Sequence, residues 1–381
     1  MENFKIDIPT IVHFGRDVVN DLGKVISGHG KKVLFVYGKG SIKTNGIYDR
    51  VMQELEKTGA EVKEFSGIKP NPVIEDVDAA AAAGREFKPD VILAVGGGSV
   101  IDSAKVISVT IPVEHTGWVF IKGKAKPAAA VPVIAILTLA ATGTEMNPFA
   151  VIQNHQTGEK LGWGHRLCYP AHSFLDPSYT IPVPEDYTAY GIVDLMAHAM
   201  ENYFGGGDAT LTDRFVFSVM KEAIEYGPPL MEDLKSYRLR EKIMYAATMA
   251  LNGLTLWGRK SGDWAVHAIG HVASLLYDTP HGATLSIAYP AWLKLQKERI
   301  PGRITELGKA LFDASSAEET IAGLEGFFSR IGSPVRLQQA GIPESEREKL
   351  LSQMLQNRVN GNVHNLSETD VEKILDYMYG Q

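Results

Sequence analysis

A chain of 381 residues is long for a single hydrophobic core and predicts two domains. With 45% hydrophobic and 22% charged residues it reads as globular, and a net charge of −7 without a basic run argues against nucleic acid or an anionic membrane as partner. A single cysteine, Cys168, rules out an internal disulfide, removes thiolate zinc sites and suits a reducing cytoplasm.

The opening "MENFKIDIPTIVHFG" has no apolar segment followed by a small-residue cleavage site, so no secretory signal is expected there. Short β-branched runs then alternate with helical stretches. "KKVLFVYG" (31–38), "AEVKEFSGI" (60–68) and "DVILAVGGG" (90–98) read as strands. "GIYDRVMQELEKTG" (46–59), "IEDVDAAAAAGREF" (74–87) and "SVIDSAKVISV" (99–109) read as helices. "AAAVPVIAILTLAA" (128–141) contains Pro132 and is too short to span a membrane, so it is expected as a buried strand with flanks. Such alternation predicts a doubly wound parallel sheet with a nucleotide-binding edge. "FAVIQN" and "EKLGWGH", joined by "HQTG", predict a hairpin added to that sheet.

Around Pro177, Pro182 and Pro184 the texture changes, and long periodic segments such as "DRFVFSVMKEAIEYG" and "YRLREKIMYAATMALNGLTL" take over. The expected division is an α/β domain over 1–182 and an all-helical domain over 183–381.

"VILAVGGGSVIDSAK" (91–105) sets three glycines and a serine between a buried strand and a helix. Glycine lets backbone approach a pyrophosphate, and the helix start offers free N–H groups, although the spacing is not the usual dinucleotide fingerprint. A second such turn lies in "VYGKGSIKTNG" (36–46). An NAD-preferring enzyme often carries a carboxylate near this position for the ribose 2′-hydroxyl. Gly38, Lys39, Gly40, Ser41 and Lys43 offer N–H groups, a hydroxyl and positive charge instead, which favours NADP(H). "TLAATGTEMN" (138–147) is a third polar segment at a strand end.

Three of the eleven histidines crowd into "GDWAVHAIGHVASLLYDTPHG" (262–282). His267 and His271 share a helix face, and His281 follows a turn signal. Histidine sites for divalent metals usually add a carboxylate. Both "DLMAH" (Asp194, His198) and "DWAVH" (Asp263, His267) have the right spacing, and spacing alone does not choose between them. His13, His29, His115, His155, His165, His172 and His364 have no comparable company along the chain.

Taken in order, "GGGSVIDSAK", "TLAATGTEMN", "GIVDLMAHAMENYF" and "GDWAVHAIGHVASLLYDTPHG" resemble the iron-containing (group III) metal-dependent alcohol dehydrogenases across essentially the whole chain. "VYGKGSIKTNGIYD" and "DWAVHAIGH" are most similar to the butanol dehydrogenase and broad-specificity aldehyde reductase branch. The resemblance implies a dehydroquinate synthase-like fold, an α/β N-terminal domain plus an all-α C-terminal one. It implies Asp194, His198, His267 and His281 as metal ligands, with Asp263 a neighbour. His271 matches the non-ligand histidine beside nicotinamide and substrate, a plausible proton relay. Gly96, Gly97, Gly98 and Ser99 match the pyrophosphate loop; Thr138, Thr142 and Lys160 match further cofactor contacts, and Asn71 and Asp102 nucleotide-side positions. Asn147, Phe149 and Trp257 are expected on the substrate side, in an apolar setting with Met146 and Trp264.

Gly38-Lys39-Gly40-Ser41 departs from the Gly-Gly-Gly-Ser run common in that branch. The implied activity is NADP(H)-linked reduction of short aliphatic aldehydes on Fe²⁺, with NAD(H) and Zn²⁺ as alternatives, in a homodimer formed through the N-terminal strand. A sugar-phosphate lyase of the same fold is the competing enzyme class; it would need basic residues around its metal. A non-catalytic nucleotide- or metal-binding protein is the third reading.

Overall fold

In the computed structural model, which describes Met1 through Gln381, eight short runs become strands. They are β1 (Ile11–Phe14), β2 (Lys32–Tyr37), β3 (Glu61–Phe65), β4 (Val91–Gly96), β5 (Val133–Leu137), β6 (Phe149–Asn154), β7 (Glu159–Gly164) and β8 (His172–Leu175). Six of them form one parallel sheet in the order β1-β8-β5-β4-β2-β3. Every residue of β4 is buried, as a central strand covered on both faces requires, whereas β3, at the edge, is largely exposed.

The hairpin β6–β7 forms its own antiparallel sheet, so the expectation that it extends the main sheet is corrected. The place beside β5 is taken by β8, and the edges by β1 and β3.

The helices among these strands are α1 (Leu22–His29), α2 (Ser41–Thr44), α3 (Ile47–Glu56), α4 (Ile74–Phe87), α5 (Gly98–Thr110) and α6 (Trp118–Ile121). Leu22, Ile26, Val51 and Leu55 from α1 and α3 share a core with Val33, Phe35, Leu93, Ile134 and Phe174 of the sheet. On α4, Ile74, Val77, Ala80, Ala81 and Gly84 are buried at helical spacing, the stripe that seats it. The chain runs outward from β2 to β3 and then returns to place β4 on the other side of β2. In open α/β sheets, ligands bind beyond the carboxyl ends of the strands at such a reversal, which here means the turns after β2 and β4. The fold also gives three background histidines company. His13 and His172 are hydrogen-bonded at 3.0 Å, and the His29 ring stands edge-on to His172 at 5.7 Å.

Residues Asp7–Val183 form this unit; Pro184–Gln381, together with Met1–Ile6, form a second. The second unit contains α7 (Glu185–Tyr203), α8 (Thr210–Glu232), α9 (Tyr237–Ala250), α10 (Ala265–Tyr277), α11 (His281–Gln296), α12 (Pro301–Phe312), α13 (Ala317–Arg330), α14 (Arg347–Gln356) and α15 (Glu368–Tyr379). The helical run expected through residue 256 stops at Ala250, where Leu251 leaves helical geometry at φ −134°; beyond it Gly253 takes φ +106° with Trp257 packed on it, a Cβ there lying 2.6 Å from the indole nitrogen. From Gly191 to Tyr203 α7 is buried throughout, polar residues included. Its end is anchored by Arg303, which donates to the Tyr203 carbonyl at 3.0 Å and to Asp213 at 2.7 Å. No helix is long and apolar enough to cross a membrane.

Candidate active site

Asp194 is the hub of the helical unit's polar centre. Its Oδ1 lies 3.6 Å from His198 Nδ1, 4.0 Å from His267 Nε2 and 3.8 Å from His281 Nε2. Helix periodicity puts Asp194 and His198 on one face of α7, α10 brings His267, and His281 opens α11. Close packing makes this convergence possible. A Cβ on Gly282 would sit 2.1 Å from the Tyr190 carbonyl oxygen, and one on Gly270 2.6 Å from Thr284 Oγ1, so α11 meets α7 and α10 at glycine contacts.

Separations of 3.6–4.0 Å are too long for hydrogen bonds. They approach the roughly 3.4 Å that separates ligands about 2.1 Å from a tetrahedral ion. One carboxylate oxygen and one nitrogen each from His267 and His281 lie within 4.8 Å of one another, and His198 flanks them with its ring 4.7 Å from that of His267. His198 Nδ1 and His267 Nε2 are buried without hydrogen-bond partners. Burial, and then the neighbouring His267, push the His198 imidazole well below its ordinary range, leaving it neutral, the form that ligates a metal. The donor set therefore fits a divalent ion.

Glu201, one turn beyond His198, supports the set. Its Oε1 accepts from His267 Nδ1 at 2.8 Å and from the His267 backbone N–H at 3.0 Å, which turns Nε2 toward Asp194. Its Oε2 accepts from the backbone N–H of Trp264 at 2.5 Å. Trp264 reaches that position at φ +70°, a costly conformation for a bulky residue. Asp263 helps to hold it there: its Oδ1 accepts from the backbone N–H groups of Val363 and His364 at 2.9 and 2.7 Å. The Asp263 carboxylate is thus engaged with the 363–364 backbone. The His271 ring lies 5.3 Å from that of His281 and 6.4 Å from that of His267. Trp264 is the indole beside the imidazoles, 5.2 Å from the His267 ring, while half-buried Trp257 packs on Gly253.

In the α/β unit residues 38–41, residues 97–99 and Thr138 follow the carboxyl ends of β2, β4 and β5. Gly97 caps α5 at the end of β4. A Cβ on Gly96 would lie 2.5 Å from Val100, and one on Gly98 2.8 Å from Thr142. Thr138 donates its backbone N–H to the Gly96 carbonyl at 3.0 Å, so the 96–99 and 138–142 segments form one surface. Ser99 donates to the Pro70 carbonyl, and Lys160 Nζ to Asn71 Oδ1 at 2.8 Å. Gly67 bonds back to the Gly38 carbonyl, joining the 38–41 turn to the same edge.

Asp102 and Asn147 are buried in a different network. Lys105, fully buried on α5, donates to Thr144 Oγ1 at 2.5 Å, Asn147 Oδ1 at 3.2 Å and the Phe149 carbonyl at 2.7 Å. Asp102 accepts from Thr144 Oγ1 at 2.6 Å and from the Val151 N–H at 2.9 Å. Burial raises the Asp102 carboxyl and lowers the Lys105 ammonium to about 8. These contacts brace 144–151 against α5, while the Phe149 side chain stays 44% exposed.

Residues 9–177 match the family model described as iron-containing alcohol dehydrogenase, and residues 188–379 match that of the Fe-containing alcohol dehydrogenase family, C-terminal. The chain belongs to the iron-containing alcohol dehydrogenase family. It is a nicotinamide-dependent alcohol dehydrogenase, and the lyase and non-catalytic readings fall away. It is 40% identical to the probable NADH-dependent butanol dehydrogenase 1 of Bacillus subtilis (strain 168), over 98% of this chain and 99% of the relative. It is 34% identical to the NADPH-dependent aldehyde reductase YqhD of Escherichia coli (strain K12), over 93% of both chains. The crystal structure of NADH-dependent butanol dehydrogenase A from Thermotoga maritima superposes with a TM-score of 0.96 at 37% identity, covering 100% of this chain and 99% of that one.

Sequence reading missed three residues of this dehydrogenase: Glu201, Lys105 and Glu64. Glu201 had a signal, since Asp194, His198 and Glu201 recur at helical spacing in the mostly apolar 191–203 stretch of α7. Replacing Glu201 with Gln is expected to lower metal affinity about 10–100-fold in a chelator competition, because the strong acceptor for His267 Nδ1–H is lost. An unchanged affinity would remove Glu201 from the metal's support. Glu64 belongs to the turn after β2. Its carboxylate accepts from the Tyr37 hydroxyl at 2.5 Å and the Tyr48 hydroxyl at 2.8 Å, and stands 3.8 Å from Lys43 Nζ. No carboxylate lies in the 36–46 segment itself; the fold brings one from β3.

Proposed function

We propose that the protein reduces short aliphatic aldehydes such as butanal with NADPH, and oxidises the corresponding primary alcohols. In this reading a divalent ion, Fe²⁺ with Zn²⁺ as the alternative, is held by Asp194, His198, His267 and His281. The observation that carries it is the single Asp194 oxygen faced by three imidazole nitrogens at 3.6–4.0 Å. An ion bound there supplies Lewis acidity toward a carbonyl oxygen. Reduction adds a hydride to the carbonyl carbon, from nicotinamide, and a proton to its oxygen. His271, whose ring lies 5.3 Å from that of His281, delivers that proton from a ring nitrogen. Glu201 keeps His267 oriented. The 96–99 loop, Thr138, Thr142, Lys160 and Asn71 hold the dinucleotide, with Asp102 and Asn147 bracing the loop that carries Phe149.

Lys39 and Ser41, both exposed at the turn after β2, support recognition of the 2′-phosphate of NADPH. A second reading, NADH, is favoured by Glu64, whose carboxylate stands beside that turn, and by the Bacillus subtilis and Thermotoga maritima relatives, which are named NADH-dependent. The homodimer reading draws support from β1, an edge strand on which Ile11 is 55% exposed, and a cytoplasmic setting from the free, buried Cys168.

Cofactor oxidation with butanal tests the activity, using metal-stripped protein reloaded with Fe²⁺ or Zn²⁺ and offered NADPH or NADH. Turnover is expected with NADPH and Fe²⁺; none in any combination overturns the proposal. Lys39→Asp should lower the NADPH-to-NADH ratio of kcat/KM about tenfold, the effect of reversing one charge near a phosphate at the protein surface. An unchanged ratio would move the 2′-phosphate site away from this turn.

A further inference from the structure

The turn after β2 is where the cations of the sequence and the carboxylate brought by the fold disagree about the cofactor. Read along the chain, Lys39 and Lys43 offer two positive charges to a 2′-phosphate. In three dimensions only Lys39 stands clear. The ammonium of Lys43 lies 4.5 Å from the centre of the Tyr48 ring and 5.1 Å from that of Tyr37, with Glu64 Oε2 at 3.8 Å. Glu64 is itself fixed by the two phenols, one on each carboxylate oxygen. Burial alone would raise the Glu64 carboxyl, but the hydrogen bonds from Tyr37 and Tyr48 and the charge of Lys43 outweigh it and hold the group below its usual range, fully ionised at neutral pH.

Position matters as much as charge. Glu64 sits near the carboxyl end of β3, paired with Phe35 of β2, the strand that leads into the Gly38–Ser41 turn. In doubly wound folds an acidic residue about 20 residues past the first glycine turn takes the ribose 2′-hydroxyl. Glu64 follows that turn through α2, α3 and β3, the same strand–turn–helix–strand path.

We propose that Glu64 is a specificity-determining residue for the nucleotide, holding Lys43 against Tyr37 and Tyr48 so that Lys39 alone answers a 2′-phosphate. The proposal rests on the reading that the 38–41 turn meets the adenosine ribose. The wild-type enzyme then accepts both NADPH and NADH, because the carboxylate that suits a hydroxyl and the lysine that suits a phosphate share one turn. Glu64→Gln removes the negative charge, keeps an acceptor for a phenol and frees Lys43. Lys43→Gln, at an exposed side chain, leaves Glu64 uncompensated. Removing both restores the balance.

The test is the ratio of dissociation constants for NADPH and NADH, read by quenching of protein fluorescence in the absence of aldehyde, on wild type, Glu64→Gln, Lys43→Gln and the double variant. Preference for NADPH should rise about tenfold in Glu64→Gln and fall about tenfold in Lys43→Gln, and the double variant should lie within about twofold of wild type. If Lys39→Asp shifts the ratio while Glu64→Gln leaves it within twofold, the turn reads the ribose and Glu64 does not set the preference. If Lys39→Asp has no effect either, the turn is not the ribose site and the underlying reading fails with it. A double variant that keeps the full gain of Glu64→Gln would also overturn the proposal, since the gain must pass through Lys43.

Discussion

His281→Ala is expected to strip the protein of stoichiometric metal and lower aldehyde reduction about a thousandfold, whereas His271→Ala keeps its metal and slows turnover about a hundredfold. The two residues lie close, their rings 5.3 Å apart, and have different surroundings. His281 Nε2 faces Asp194 at 3.8 Å and groups with Asp194 and His267; His271 stands outside that group. Losing one of the four proposed ligands would open the set, and a supporting residue alone is worth about 10–100-fold in affinity at such sites. The first loss thus appears both in metal content and in rate. Removing a proton donor costs rate only. Metal content by atomic emission, measured beside NADPH oxidation with butanal, separates the two cases. If His281→Ala retained a full equivalent of metal while His271→Ala lost it, their roles would have to be exchanged.

Gly282→Ala has the next largest expected effect, although it changes no ligand. The added methyl would lie 2.1 Å from the Tyr190 carbonyl oxygen and 2.7 Å from its carbon, atoms of a buried helix backbone that cannot turn aside as a side chain can. The start of α11 must therefore retreat from α7, carrying His281 away from Asp194. Overpacking of this kind costs about 3 kcal/mol, or on the order of 10 °C in the unfolding midpoint of a domain of this size. Metal affinity should drop along with stability. A variant with wild-type melting temperature and full metal would show that α11 can shift without loss, and that the glycine contact does not set the position of His281.

Much of this architecture is legible in local pattern. Short β-branched runs alternating with amphipathic helices forecast the parallel sheet because strand and helix burial have different periods, and β4 and the helix after its glycine turn form where that reading puts them, with the strand ending at Gly96 and the helix starting at Gly98. The Asp194–His198 pair is equally visible, since one turn of helix is a local distance. The hairpin β6–β7 forms a sheet of its own, which its pattern does not reveal because a strand's alternation does not say which neighbour fills the slot beside it. Asp102 reads as a nucleotide-side residue in sequence and Lys105 gives no signal; the buried brace they form depends on Thr144, some forty positions away.

By itself the sequence determined the order of elements, the glycine turns and the residue types that can hold a phosphate or a metal, because each depends on backbone freedom and side-chain chemistry within a few residues. Spacing along the chain does not distinguish Asp194 from Asp263, and the tertiary structure gives them different surroundings. Both have a histidine four residues on, but Asp263 is engaged by the backbone of 363–364, while Asp194 faces imidazoles from three helices. It also set Glu64 beside Lys43 of the β2 turn and Glu201 behind His267. Charge and hydrogen-bond partners act over a few ångströms in space, and no spacing along the chain reports which distant residues come that close.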